Sequence, residues 1–373
     1  MRNRSTLRIS IVFIALFITS ICGFGCTPFS ADTSLRSSAA ENIACGSPIV
    51  SNGIVYVGSN DHNIYALNAT TGVKVWNYTA GVLVEMAWLP PTISNGILYV
   101  GSDDHNVYAL NATTGTKIWS YKTRDVVRSA PTVSNGIVYV GSFDRNVYAL
   151  NATTGTMVWN YTTGAAVFSS PTVSNGIVYV GSNDHNVYAL SKTAGAKVWN
   201  YTTGDMVDSS PAISNGTLYV GSQDQNVYAL NATTGTMVWN YTTGNVIVSS
   251  PAVANGIVYI GSNDRNVYAL NSETGAEVWT YTTGSYVWYS PVVANGIVYI
   301  GSLDHNLYAL NATIGTIVWK IMAGEGAYFS NPDFFSNPTF ANGIVYIGCS
   351  DGYIYARNAT TGVKVWTAQP YTL

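Results

Sequence analysis

The sequence predicts an all-β fold: a single eight-bladed β-propeller with four antiparallel strands in each blade. Two landmarks lead there. The dipeptide Asn-Gly recurs at Asn52, Asn95, Asn135, Asn175, Asn215, Asn255, Asn295 and Asn342, and a tryptophan follows each time, at Trp76, Trp119, Trp159, Trp199, Trp239, Trp279, Trp319 and Trp366. Counted separately, each landmark gives eight copies of a unit of about forty residues. The third observation is that every copy breaks into four short β-rich runs and none shows a helical period. So short a unit cannot bury its own faces, so the copies must pack into one body. Four-stranded sheets set radially about an axis leave only short, protected edges.

The copy at residues 166–204 shows how each element arises. Residues Val167 to Val173 are expected to form the first strand. Asn175-Gly176 then makes a two-residue hairpin turn, because both positions tolerate positive φ. Ile177 to Gly181 is the second strand, nearly all β-branched or aromatic. Ser182 to His185 turns the chain, with Asp184 placed to bond its own backbone. Asn186 to Leu190 is the third strand. A turn ending at Gly195 leads to the fourth, Ala196 to Thr202, which carries Trp199.

The join between third and fourth strands carries a family resemblance. Ala66-Leu-Asn-Ala-Thr-Thr-Gly72-Val-Lys-Val-Trp76 resembles the tryptophan-docking motif of PQQ-type propeller repeats, Ala-x-Asp-x-x-Thr-Gly-x-x-x-Trp, and it recurs in all eight copies across residues 43–368. Asn replaces the usual Asp, Ser191 and Ala194 break the motif in copy four, and Ile314 replaces Thr in copy seven. The resemblance implies that each indole wedges between neighbouring blades, which makes the eight tryptophans structural. Among such propellers the layout is most similar to the eight-bladed lipoprotein of bacterial outer-membrane protein assembly, a scaffold for protein partners.

Bulk composition bounds the rest. Only 9% of the 373 residues are charged and the formal net charge is −3, so no basic stripe for nucleic acid exists. Arg2, Arg4 and Arg8 precede an apolar run from Ile9 to Phe24, the pattern of a secretory signal over residues 1–26. Gly23-Phe24-Gly25-Cys26 loosely resembles a lipoprotein cleavage box lacking its usual leucine, so lipidation, simple cleavage and an uncleaved anchor all stay open. Residues 27–42 read as a flexible tether and 43–373 as the propeller. Export to the periplasm, cell surface or medium is the expectation, and the ring is expected to be monomeric.

The first blade begins near Ile43 and the last ends near Ala368, with no strand left over to exchange across the seam. Outside the signal the only cysteines are Cys45 and Cys349, in the first and last copies. A closed ring makes those blades neighbours, so a disulfide stapling the seam is expected, with two unrelated thiols as the alternative.

Near-identical copies allow an internal comparison, in which a variable position is one released from building the blade. The residue three before each blade proline is Cys45, Trp88, Arg128, Phe168, Asp208, Val248, Trp288 and Phe335. Three extra residues around Glu85, Met86 and Trp88 in copy two, and seven within 326–337 in copy eight, fall beside the same slot. Glu85, Trp88, Arg128, Phe168, Asp208, Trp288 and Phe335 are therefore the candidate binding residues, ringing one mouth of the central channel, where aromatic and arginine side chains suit recognition. His62, His105, His185 and His305 share one turn slot with Arg145, Gln225 and Arg265, and separate blades hold them too far apart for one metal ion. Eleven Asn-x-Thr sequons, among them Asn68, Asn77, Asn111, Asn160, Asn215 and Asn358, are surface acceptors that multiply whenever a blade is duplicated.

Two functions compete. One is an exported, non-catalytic propeller that binds a protein or cell-envelope partner through that rim. The other is a quinoprotein dehydrogenase holding PQQ and calcium in the same ring. The enzymes of that family add long inserts with calcium-binding carboxylates and, in many alcohol dehydrogenases, adjacent cysteines under the cofactor. Here there is no Cys-Cys pair, and Glu85, Asp125, Asp205, Asp208, Glu325 and Asp333 lack a ligand-like spacing. Binding without PQQ, calcium or another metal is the expectation.

Overall fold

The computed structural model describes residues 45–80, 90–324 and 336–371. The signal-like segment, the tether and Ile43 lie outside these ranges. Eight four-stranded antiparallel sheets appear, each built from four consecutive strands in sequence order, with no helix among the described residues. The first blade comprises Ile49–Ser51, Ile54–Gly58, Asn63–Asn68 and Lys74–Thr79. The last comprises Thr339–Ala341, Ile344–Gly348, Ile354–Asn358 and Lys364–Ala368. The short first strands of successive blades adjoin one another, those of the first and last blades included, and surround the axis.

The hairpin turns form as the sequence predicts, with φ of 48° at Asn175 and 79° at Gly176. Second and third strands are buried on both faces because each sheet is sandwiched between neighbours, which is why Ile-Val-Tyr-Val and Val-Tyr-Ala-Leu read as unbroken apolar runs. The fourth strand alternates, burying Trp199 and exposing its neighbours. A bulge recurs there in every blade. Ala189 pairs with Trp199 and Leu190 with Lys197, so Val198 is the extra residue and stands 52% exposed. That bulge accounts for the circumferential row of exposed valines and isoleucines, and it turns each indole toward the next blade.

The first strand is shorter than expected. It spans Thr172–Ser174 rather than Val167 to Val173. Pro171 cannot donate to a ladder, and the Ser169 hydroxyl takes over that task by accepting the Gly181 N–H at 3.0 Å. Val167 still anchors the segment through its N–H to the Ser142 carbonyl of the preceding blade, 3.1 Å. Residues 163–171 thus run irregularly toward the axis and carry the variable slot into the channel mouth.

Every junction between blades repeats one contact. The indole N–H of Trp199 donates to the Ala232 carbonyl of the next blade, and the Tyr179 hydroxyl donates to the same oxygen. All eight indole bonds measure 2.8–3.1 Å. The indole lies so flat on the following Thr-Thr-Gly turn that a Cβ on Gly235 would approach Trp199 Cδ2 to 2.7 Å. Only glycine fits there. The Asn-for-Asp departure costs the turn nothing, because only the side-chain oxygen is used: Asn231 Oδ1 accepts the N–H groups of Thr233 and Thr234.

The seam closes by the same contacts. Trp366 donates to Ala69 at 2.8 Å, and the Thr339 hydroxyl donates to Pro48 O at 2.6 Å. Cys45 N–H donates to Cys349 O at 3.3 Å, so the two cysteines do meet. They meet as free, buried thiols. Cys45 Sγ is turned to the Gly352 carbonyl, 3.4 Å away, and the expected disulfide is not formed in the structure.

Candidate functional site at the channel mouth

Loops joining the fourth strand to the next first strand, and the second strand to the third, share one end of the ring. Onto this end the structure brings Arg128, Phe168, Asp208 and Trp288. Glu85, Trp88 and Phe335 lie outside the described residues. Cys45 does not join the rim. It is 1% exposed, and its N–H bonds as the Val127 N–H does to Ser102 O, so it holds the inward place that precedes the rim slot elsewhere.

A second variable ring meshes with the first. It is the third residue of each Gly-Ser-x-Asp turn: Asn60, Asp103, Phe143, Asn183, Gln223, Asn263, Leu303 and, after Cys349, Ser350. The same comparison of copies would have revealed it, but a single changing residue inside an invariant turn is easily passed over. Arg128, Phe168 and Asp208 pack against second-ring residues of their own or the preceding blade, while Trp288 packs against Tyr286 of its own loop. Arg128 grips Asp103 with Nε to Oδ1 at 3.0 Å and Nη2 to Oδ2 at 2.8 Å, and its guanidinium lies 5.6 Å over the Phe143 ring. Phe143 and Phe168 pack with centroids 6.0 Å apart. Gln223 Nε2 donates to Asp208 Oδ2 at 2.5 Å. Tyr286 and Trp288 stack at 6.3 Å and 19°.

These neighbours set the electrostatics. Burial pushes the Asp208 carboxyl above its usual range, the Gln223 hydrogen bond pulls it back in part, and the nearby Asp205 charge raises it further. Asp103 is almost fully buried, and Arg128 pairs it bidentately.

At the mouth the buried Asp103 is committed to Arg128 and the partly buried Asp208 accepts from Gln223. Among the described residues no group of three His, Cys, Asp or Glu side chains comes together. The described residues of the mouth thus bring together no ligand set for a calcium-bound quinone. The histidine slot is a left-handed turn position, with φ of 71–77° at His62, His105, Arg145, His185, Gln225, Arg265 and His305. It is one backbone position repeated in separate blades.

A closed ring of tryptophan-docked blades, individual at one mouth only, defines this chain as an eight-bladed propeller of PQQ-type repeats. It belongs to the family described as outer membrane protein assembly factor BamB, whose model matches residues 34–87, 82–206, 125–245, 183–287 and 283–372. Among solved structures it is similar to BamB from Moraxella catarrhalis, with a TM-score of 0.69 and 20% identity over 83% of this chain and 95% of that one. It is also similar to the computationally designed Ika8 protein, with a TM-score of 0.74 and 18% identity over 85% of this chain and 96% of that one. No curated protein sequence matches it.

Proposed function

We propose that this protein is an exported, non-catalytic binding propeller of the cell envelope that engages a protein or envelope component through the channel-mouth face. The observation that carries the reading is the two interlocked variable rings: blade-building positions barely change between copies, while side chains at this one end change from blade to blade. Membership of a family described by outer-membrane protein assembly supports an envelope setting and a protein partner. The Arg2-Arg4-Arg8 and Ile9-to-Phe24 pattern supports export. Against the quinoprotein alternative stand the missing Cys-Cys pair and the engagement of Asp103 by Arg128 and of Asp208 by Gln223.

Affinity capture from solubilised envelopes tests this, using wild type and Phe168→Ala/Trp288→Ala rings. Capture of a discrete partner by wild type, lost in the variant while its circular dichroism is unchanged, is the expected result. Equal capture by both, or dye-linked oxidation of alcohols or sugars after loading with PQQ and calcium, would overturn it.

A further inference from the structure

At the same end of the ring but on its outer side, along the fourth strands, a cleft of about 370 Å³ opens between the second and third blades. Its walls carry Lys122 and Arg124 from one side and Arg145 from the other, with Tyr121, Asp144 and Asn160 between them. No carboxylate pairs with these cations: the ion pairs among the described residues are Arg128–Asp103 and His185–Asp205. Asp144 is already committed, accepting from the Tyr148 hydroxyl at 2.6 Å and from the backbone N–H groups of Arg124 and Asn146 at 3.0 Å. Three positive charges therefore face one engaged negative charge, in a chain that is only 9% charged.

Two of the cations displace residues that the repeat uses structurally. Lys122 stands where other blades have Thr79, Thr162, Thr202, Thr242 and Thr282, each donating its hydroxyl to an asparagine of the third strand at 2.6–2.8 Å. Lys122 forgoes that bond. Arg124 stands where other blades have Gly164, Gly204, Gly244 and Gly284, whose added Cβ would lie 2.8–3.1 Å from the turn aspartate. Those glycines donate to that aspartate at 2.5–2.7 Å, whereas Arg124, carrying its Cβ, donates to Asp144 at 3.0 Å. Two departures two residues apart, one giving up a repeated hydrogen bond and the other lengthening one, each add a cation to the same cleft and need a common cause.

We propose that this cleft is a binding site for a phosphate-bearing ligand. A guanidinium fork and flanking ammonium match a multiply charged oxyanion better than a single carboxylate. The volume admits a headgroup or small phosphate ester and excludes a folded partner. The site is walled by outer-strand residues rather than by the rim side chains, and it is independent of the partner proposed for the mouth.

The repeat itself supplies fold-safe variants, because Lys122→Thr, Arg124→Gly and Arg145→Gln install residues the same slots hold in other blades. Calorimetric titration with inorganic pyrophosphate at low ionic strength should show saturable binding to wild type, weakened about tenfold by Arg124→Gly and at least about a hundredfold by the triple variant. Arg265→Gln, in the equivalent slot of the sixth blade, should leave it unchanged. Flotation with phosphatidylglycerol against phosphatidylcholine vesicles separates the sources. Pyrophosphate binding without flotation supports a soluble phosphate, and flotation with anionic vesicles that the triple variant abolishes supports a lipid headgroup. Neither form of binding, an undiminished triple variant, or equal weakening by Arg265→Gln would overturn the proposal.

Discussion

Trp366 and Ala69 lie 297 positions apart, yet the indole N–H of one donates to the carbonyl of the other at 2.8 Å, the same bond that joins Trp199 to Ala232 within the chain. The junction where the chain's ends meet is chemically the same as the other seven.

Removing that indole should therefore cost as much at the seam as elsewhere. Trp366→Ala and Trp239→Ala are each expected to lower unfolding free energy by about 3–5 kcal/mol, since the rings are 7% and 8% exposed. Guanidinium denaturation followed by circular dichroism measures both. A seam variant that proved far more damaging than the internal one would contradict the equivalence.

The glycines separate crowding from conformation. Gly115 has φ 72° and an added Cβ would meet Trp76 Cε3 at 2.6 Å, whereas Gly136 has φ 74° with nothing within 4 Å. Gly136→Ala should cost about 1 kcal/mol from backbone strain alone. Gly115→Ala should cost a further 1–3 kcal/mol, roughly, for displacing the indole. Thermal melts of the two variants side by side give the difference.

Asp208 supplies a pH signature. Its carboxyl is raised in the folded protein, so the fold holds that proton to higher pH than the unfolded chain does. Its contribution is complete below the ordinary carboxyl value of about 3.9 and is lost as pH rises through the folded value. Asp208→Asn keeps an acceptor for Gln223 without the charge. The variant is expected to be more stable than wild type at pH 7, with the gap closing toward pH 3.5, as read by denaturation at both pH values.

Burial also lifts the thiols of Cys45 and Cys349 well above the ordinary range, suppressing thiolate. Iodoacetamide at pH 8 should leave both unmodified in the native ring and label both once guanidinium unfolds it without reductant, as peptide mapping would show. Labelling that needed reductant as well would mean the two sulfurs are bonded in the isolated protein.

The blade frame was legible because it rests on residues with few physical alternatives. Asn-Gly is demanded by two consecutive positive φ values, and a tryptophan for every sheet is demanded by the gap between sheets. The first strand was overread: Val167 to Ser170 has strand-like composition, but Pro171 and the Ser169 hydroxyl end the ladder early. Half of the mouth was also legible. Arg128, Phe168, Asp208 and Trp288 stood out against constant neighbours, while Asp103, Phe143 and Gln223 hid as single changes within an otherwise fixed turn. The cation cleft escaped notice for another reason. Lys122 and Arg124 look like ordinary surface substitutions until coordinates show that Thr162 holds a bond Lys122 lacks and that Gly164 makes a tighter one than Arg124 does.

The uniform junctions carry one more consequence. A loop fastened to itself by the bond used at every other joint has no privileged first member, so cutting the backbone between two inner blades and splicing the present ends should leave the geometry alone. Under such a permutation the binding side chains would keep their bearings around the axis while every sequence number changed. Their address in this molecule is a compass heading.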